Sequence, residues 1–312
     1  MVENFFVFDA HTHFFSFNFY RLLIEQKEER ESLETELERI QEKTKIEIPP
    51  GEPKKLADRW ITEMDKYEIH RIVAFASLPG DESSISEAIS AYPERLIGYF
   101  MVNPTLPHAA DITERNLRDL RFKGILLFPA MYHFHVYEPR LEPIYELAQK
   151  YHVPVFTHFG ILKVKIRDVI GLPSAFDGTF ANPTDLHRTA IRFPRVNFIV
   201  PHFGAGYFRE VLFLGEQCRN VYVDTSSSNS WMQTLPYSID LKTVFQKAVS
   251  VFGADRILYG SDSGVFPRGY RVDVLQSQLQ TLRDLQLPDD HIQKILGRNL
   301  LKLLKISQNV ES

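Results

Sequence analysis

Short apolar runs that end in small or polar residues recur along the chain, with amphipathic stretches between them. Strands are predicted at Phe5–Asp9, Ile72–Ala76, Leu96–Val102, Gly124–Phe128, Pro154–Thr157, Asn197–Val200, Val221–Asp224 and Ile257–Gly260. Each is rich in Val, Ile or Phe, and most lack an alternating polar face, as strands buried on both sides of a parallel sheet do. Between them, Leu141–Tyr151 is apolar at Leu141, Ile144, Tyr145, Leu147 and Ala148, one face of a helix, and Thr243–Phe252 reads the same way. Asn182-Pro183-Thr184-Asp185 supplies a start signal for a helix over Leu186–Phe193. Eight strand–helix units in 312 residues predict an α/β fold, a (β/α)8 (TIM) barrel spanning residues 1–312 as one domain. An open doubly wound sheet is the alternative, but no G-x-G-x-x-G turn follows the first strand.

The rhythm breaks once. Residues 14–53 separate the first strand from its helix, and Glu25–Lys45 is dense in Glu, Lys and Arg, with Leu33, Leu37 and Ile40 at helical spacing. This predicts a charged helical insertion after strand 1. A solvated helix resting on the barrel mouth, a lid and a dimer contact are the roles open to it. At the other end, Ile292–Ile306 reads as a closing helix.

Composition narrows the partners. Hydrophobic residues make up 44% and charged residues 24%, which excludes wholesale disorder. With 36 Lys and Arg against 40 Asp and Glu, the net charge of −4 gives no basic footprint for nucleic acid. The single Cys218 rules out an internal disulfide and a thiolate metal cluster. The start of the chain has no basic n-region, and no run of about 18 apolar residues occurs, so no membrane association is expected. The expected setting is cytoplasmic, and small apolar faces on the barrel helices would allow a homodimer.

The strongest chemical signal is Asp9-Ala10-His11-Thr12-His13 at the end of the first strand. Residues two apart on a strand share a side, so both imidazoles face one point at the C-terminal mouth, where barrels carry catalysis. Two neutral imidazoles at one point suit Zn²⁺ or a similar divalent ion. An isolated H-x-H also arises by chance, but three further features converge. Thr157-His158 ends the fifth strand, Pro201-His202-Phe203-Gly204 the sixth, and Gly260-Ser261-Asp262-Ser263 the eighth. Four of eleven histidines and one aspartate thus fall on one face. A core histidine accounts for any one of them, and not for all five together.

This constellation resembles the amidohydrolase superfamily, in the amidohydrolase-related set that includes aminocarboxymuconate-semialdehyde decarboxylase and 2-pyrone-4,6-dicarboxylate lactonase. The resemblance extends to Lys123-Gly124-Ile125, Pro201-His202-Phe203-Gly204-Ala205-Gly206, Asp224-Thr225-Ser226-Ser227 and Ile295-Leu296-Gly297-Arg298-Asn299. It implies His11, His13, His158 and Asp262 as metal ligands, with His202 beside the metal as a catalytic group or weaker ligand. Two-metal members carry a strand-4 lysine. Here that strand ends in Leu126-Leu127-Phe128-Pro129, so one divalent ion is expected, Zn²⁺ first and Mn²⁺ second. The implied chemistry is hydrolysis of an ester, lactone or amide through an activated water, with Asp262 and His202 moving protons. The alternative with the same ligands is non-oxidative decarboxylation of an unsaturated or aromatic acid, and a third reading is a binding barrel without catalysis. After Asp262 the chain reads Ser263-Gly264, which matches neither the aromatic-Pro of the decarboxylases nor the Trp-Pro of the lactonases.

Weaker candidates surround this centre. Arg268, six residues after Asp262, is placed to hold a substrate carboxylate in a bidentate fork, or else forms a loop salt bridge. Trp231 and Met232 are candidates to wall the pocket, with ordinary packing as the alternative. Lys163, Lys165 and Arg167 read as surface, with an added positive field as the functional alternative. His133 and His135 follow strand 4 in an irregular loop, while His70, His108, His152, His187 and His291 read as structural.

Overall fold

The computed structural model describes residues 5–161, 164–172, 175–226 and 229–308. Eight strands follow one another in chain order: β1 (Phe8–His13), β2 (Arg71–Ala76), β3 (Leu96–Val102), β4 (Gly124–Leu127), β5 (Val155–Thr157), β6 (Phe198–Val200), β7 (Val221–Asp224) and β8 (Ile257–Leu258). Every neighbouring pair from β1 to β8 is parallel. The last strand is joined back to the first by backbone hydrogen bonds from Ala10 N to Tyr259 O (2.8 Å), Asp262 N to His11 O (2.9 Å) and His13 N to Ser263 O (2.7 Å). The chain is a (β/α)8 barrel.

Why the strands read as unbroken apolar runs is visible in their packing. Alternate residues such as Phe8, Val73, Phe75, Tyr99, Leu126, Phe156 and Ile199 fill the barrel interior. The residues between them, such as Ile72, Ala74, Phe100, Ile125, Leu127, Val155 and Phe198, pack outward beneath the helices. Parallel neighbours need a crossover each. These include α3 (Pro53–Lys66), which follows α1 (Phe17–Glu25) and α2 (Leu33–Thr44), then α4 (Glu82–Ala91), α5 (Ala109–Asp119), the short α6 (Pro129–Tyr132) and α7 (Glu142–Tyr151). The second half supplies α8 (Lys165–Val169), α9 (Leu186–Arg192), α10 (Phe208–Gln217), α11 (Leu241–Phe252) and α12 (Val272–Asp284).

The charged insertion is the α1–α2 pair. Its charge density has a specific cause: Glu36 is fully buried and accepts from Lys27 Nζ and from Arg39 Nη1 at 2.8 Å, so two cations flank one carboxylate. The apolar face of α1 (Phe19, Tyr20, Leu23, Ile24) packs with Ile40 of α2 and with Ile170 and Leu172, which follow α8. This third hydrophobic cluster is separate from the two layers of the barrel.

Two expectations need correcting in detail. The first strand continues through His13, because Thr12 and His13 pair with Ala74 and Phe75 after an irregularity that begins at Asp9. The closing helix is not continuous: α13 (Asp289–Gln293) passes through a π-turn at Lys294–Arg298 into α14 (Asn299–Leu304). The π-turn lets the carbonyl of Ile295 accept from Tyr259 N at 2.9 Å, extending β8 onto the helix. It also brings Gly297 against β1, where a Cβ would lie 2.6 Å from Phe6 O.

That contact is backbone on backbone and cannot yield by a rotamer change. Gly297→Ala is therefore expected to destabilise the fold by about 1–3 kcal/mol through overpacking, read as a shifted midpoint in chemical denaturation.

Candidate active site

The side chains singled out at the strand ends meet at one mouth of the barrel. His11 and His13 leave β1 on the same side, with ring centroids 5.2 Å apart. His158 follows β5, and its ring lies 5.6 Å from His11 and 4.9 Å from His202. His202 follows β6, 4.9 Å from His11. Asp262 follows β8, with Oδ1 3.3 Å from His13 Nε2 and 3.7 Å from His11 Nε2. Two triads of donor atoms, His11–His158–His202 and His11–His13–Asp262, each fit within 4.8 Å and share His11. They describe a single centre.

Neighbours engage Nδ1 of three of the four rings, whereas buried His158 Nδ1 has no hydrogen-bond partner among the described residues. His11 Nδ1 lies 2.8 Å from Ser226 Oγ and 3.3 Å from Asp224 Oδ2, both buried. His202 Nδ1 donates to Ser226 O at 2.9 Å and lies 3.0 Å from the same hydroxyl. His13 Nδ1 lies 2.8 Å from Ser77 Oγ. With Nδ1 engaged this way, His11 and His202 are left to present Nε2, as metal-ligating imidazoles do, while His13 Nε2 lies 3.3 Å from Asp262 Oδ1. Buried His11 Nε2 has no hydrogen-bond partner among the described residues. Burial pushes His11 below the ordinary histidine range against the opposing pull of Asp224, and burial with the adjacent His202 and His11 pushes His158 well below it. Both shifts favour the neutral form that can serve as a ligand. Burial alone would raise Asp262, but the His13 hydrogen bond and the nearby imidazoles outweigh it and hold the carboxyl below its usual range. The donor set fits a divalent cation.

The backbone carries strain here. His202 (φ 54°), Phe203 (φ 52°), Ala205 (φ 43°) and Asp262 (φ 59°) all occupy the left-handed region. Each such non-glycine residue costs on the order of 1–3 kcal/mol and persists only where the surroundings over-determine it. Asp9 provides part of that constraint: its fully buried carboxylate accepts from His11 N (2.9 Å) and Ser261 N (3.1 Å), although burial pushes its carboxyl up to about 7. Gly260 leaves room for the same crossing, since a Cβ there would lie 2.8 Å from Ser226 Cβ and 2.9 Å from Asp224 Oδ2.

The centre opens into a cavity of about 460 Å³ lined by His13, His158, His202 and Asp262 on its floor. Phe128 stacks on His158 at 4.8 Å, so the end of the fourth strand contributes no ligating group. Arg268 lines the cavity and makes no hydrogen bond or ion pair among the described residues. Arg167 also lines it, donating to Gln26 Oε1 at 2.8 Å, so it belongs to the cavity wall rather than to open surface. Lys163 lies outside the described residues. Trp231 does not wall the cavity: it is buried against Phe208 (5.9 Å) in the outer barrel layer. Met232 lines a separate depression formed by the loop at 229–239. His133 and His135 bond to Ala175 O and Asp185 Oδ2, away from the centre.

Sequence reading assigns no role to Asp224, Ser226 or Ser77, nor to Phe19, Tyr20 and Leu23, which line the cavity from α1. An aspartate closing the seventh strand is the one signal that pointed to the first of these.

No helix among the described residues is long and apolar enough to cross a membrane. No curated protein matches the chain. Solved structures share its fold at low identity. A 5-carboxyvanillate decarboxylase from Sphingomonas paucimobilis superposes with a TM-score of 0.67 at 15% identity, covering 97% of this chain and 100% of that one. The decarboxylase of the same name from Novosphingobium aromaticivorans, complexed with manganese and 4-hydroxy-3-methoxy-5-nitrobenzoic acid, gives 0.65 at 18% identity, covering 97% of each chain. A probable 2-pyrone-4,6-dicarboxylic acid hydrolase from Acinetobacter baumannii, with citric acid bound, gives 0.59 at 14% identity, covering 96% of this chain and 99% of that one. The sequence model of the amidohydrolase family matches residues 8–306, and the chain belongs to that family.

Proposed function

We propose that this enzyme of the amidohydrolase superfamily hydrolyses an ester, lactone or amide bond in a small, carboxylated molecule. One observation carries the reading: four imidazoles and one carboxylate converge at the floor of a substrate-sized cavity, and the Nδ1 atoms of His11, His13 and His202 are engaged by neighbours. His11, His13, His158 and Asp262 would hold one divalent cation, and the imidazole-rich donor set favours Zn²⁺. Manganese in the Novosphingobium decarboxylase supports Mn²⁺ as the second choice. Such a cation supplies Lewis acidity, polarising a carbonyl and lowering the pKa of water towards about 7.

The protein's own groups then divide the work. Asp262 accepts a proton from the attacking water and passes it to the leaving oxygen or nitrogen. His202 has its Nδ1 proton committed to Ser226 O, so its Nε2 presents a lone pair. That geometry favours a proton-shuttling role over stabilising an oxyanion as a neutral donor. Arg268, without a hydrogen bond or ion pair among the described residues, would grip a substrate carboxylate.

Non-oxidative decarboxylation is the second reading, favoured by the apolar cavity and the fold shared with two decarboxylases. There the carbon–carboxylate bond breaks, CO₂ leaves, and the electron pair left on carbon takes a proton drawn from solvent and relayed through His202 Nε2 or Asp262. A panel of esters, lactones and unsaturated or aromatic acids, scored on metal-loaded protein for acid release and for CO₂ release, separates the two. Neither product from any member would overturn both.

Elemental analysis should find one divalent ion per chain, and two would contradict the single centre. Asp262→Asn should lower turnover by about 10²–10⁴, while His202→Asn should retain the metal and lose a comparable factor; wild-type rates for His202→Asn would remove its role. Arg268→Ala should raise KM for a carboxylated substrate by roughly 10- to 150-fold, the worth of a charged hydrogen bond. Arg268→Lys should rescue little, because an ammonium lacks the planar fork. An uncharged analogue should be turned over alike by wild type and Arg268→Ala.

A further inference from the structure

The outer half of the cavity is made by segments that lie outside the barrel strands. Phe19 and Leu23 of α1, Ile46 beyond α2, Leu78 beyond β2, Met131 of α6 and Ile166 of α8 all line it. Phe19 and Leu23 belong to the third hydrophobic cluster, and Ile46, Leu78 and Ile166 pack against that cluster only partly buried. Ile46, Leu78 and Ile166 therefore leave apolar surface uncovered where they line the cavity, backed by buried Phe19 and Leu23. Charge is scarce beyond the floor. Among the described residues, the guanidinium groups of Arg167 and Arg268 are the charged side chains on the walls, and the Arg167 group already donates to Gln26. A polycarboxylate seated here would leave at least one anion desolvated against hydrocarbon, which is costly without a partner.

We propose that the substrate carries an apolar extension, alkyl or aryl, which lies along α1 and against Leu78 and Ile166 while its reacting carbonyl group faces the imidazole centre. The α1 helix is then a specificity-determining wall, and the insertion after β1 selects hydrophobic monoanions over polycarboxylates. This rests on the reading that chemistry occurs at His11, His13, His158, His202 and Asp262. It adds what lies at the other end of the molecule. A volume of about 460 Å³ falls within the range of small-molecule sites and exceeds what a reacting carboxyl group alone would fill.

The test is binding, measured apart from turnover. Straight-chain monocarboxylates from butanoate to decanoate, and citrate as a polycarboxylate, are titrated calorimetrically into Zn²⁺-loaded protein. Affinity should rise about fourfold per methylene, the worth of burying one CH₂, until the cavity is full, and citrate should bind more weakly than octanoate. Leu78→Gln and Ile46→Gln sit at half-buried positions. Each should flatten the chain-length dependence while leaving butanoate affinity and the far-ultraviolet circular dichroism unchanged. Affinity flat with length, no binding of any acid, a preference for citrate, or a slope unaltered in both variants would overturn the proposal. The two readings fail separately. A steep slope without acid or CO₂ release from any substrate would remove the reaction and keep the apolar subsite. Turnover with a flat slope would do the reverse.

Discussion

The site depends on one seam, the closure of β1 against the segment that follows β8. Three backbone hydrogen bonds cross it, at Ala10, Asp262 and His13, and the carboxylate of Asp9 bridges it by accepting from His11 N and Ser261 N. The groups brought together are some 250 positions apart in the chain, so their meeting is a product of the whole barrel rather than of any local motif. Because His11 O and Asp262 N are themselves bonded, the distance between these two side chains is set by backbone geometry. The left-handed conformation of Asp262 is held in place by the same contacts. Rigid placement of this kind suits a centre whose donors must be preorganised.

Electrostatics then follows from burial. Removing His11 and His158 from water favours their neutral forms, in which one nitrogen donates to a partner and the other presents a lone pair. For His11 and His202, Ser226 supplies that partner twice over, through its hydroxyl to both rings and through its carbonyl to His202. A single residue after β7 thereby couples the orientation of two rings from β1 and β6.

Much of this was legible in the sequence, and the gaps have physical causes. The strands stood out because both faces of a barrel strand are apolar, whereas β1 runs on through His11, Thr12 and His13, past the end of its apolar run. The candidate ligands were visible because each follows an apolar run directly. Asp224, Ser226 and Ser77 were not, since their roles arise from pairings 213, 215 and 64 residues away. Trp231 looked like a pocket residue because its loop follows β7, yet the loop folds outward and buries the indole against α10. The α1 lining was hidden for a related reason: where an insertion packs depends on what it meets, here the segment around α8.

The separation of the third cluster from the barrel layers has a consequence for how such a protein changes over generations. Substitutions at Phe19, Leu23 or Ile166 alter the roof of the cavity without disturbing the interior packing of Phe75, Tyr99 and Phe156 beneath the imidazoles. Residues of the floor touch both the centre and the barrel interior, so they have little freedom to drift. The molecule thus has a reactive base tied into the barrel and a cover packed apart from it, so the cover can be rewritten while the reactive base stays intact.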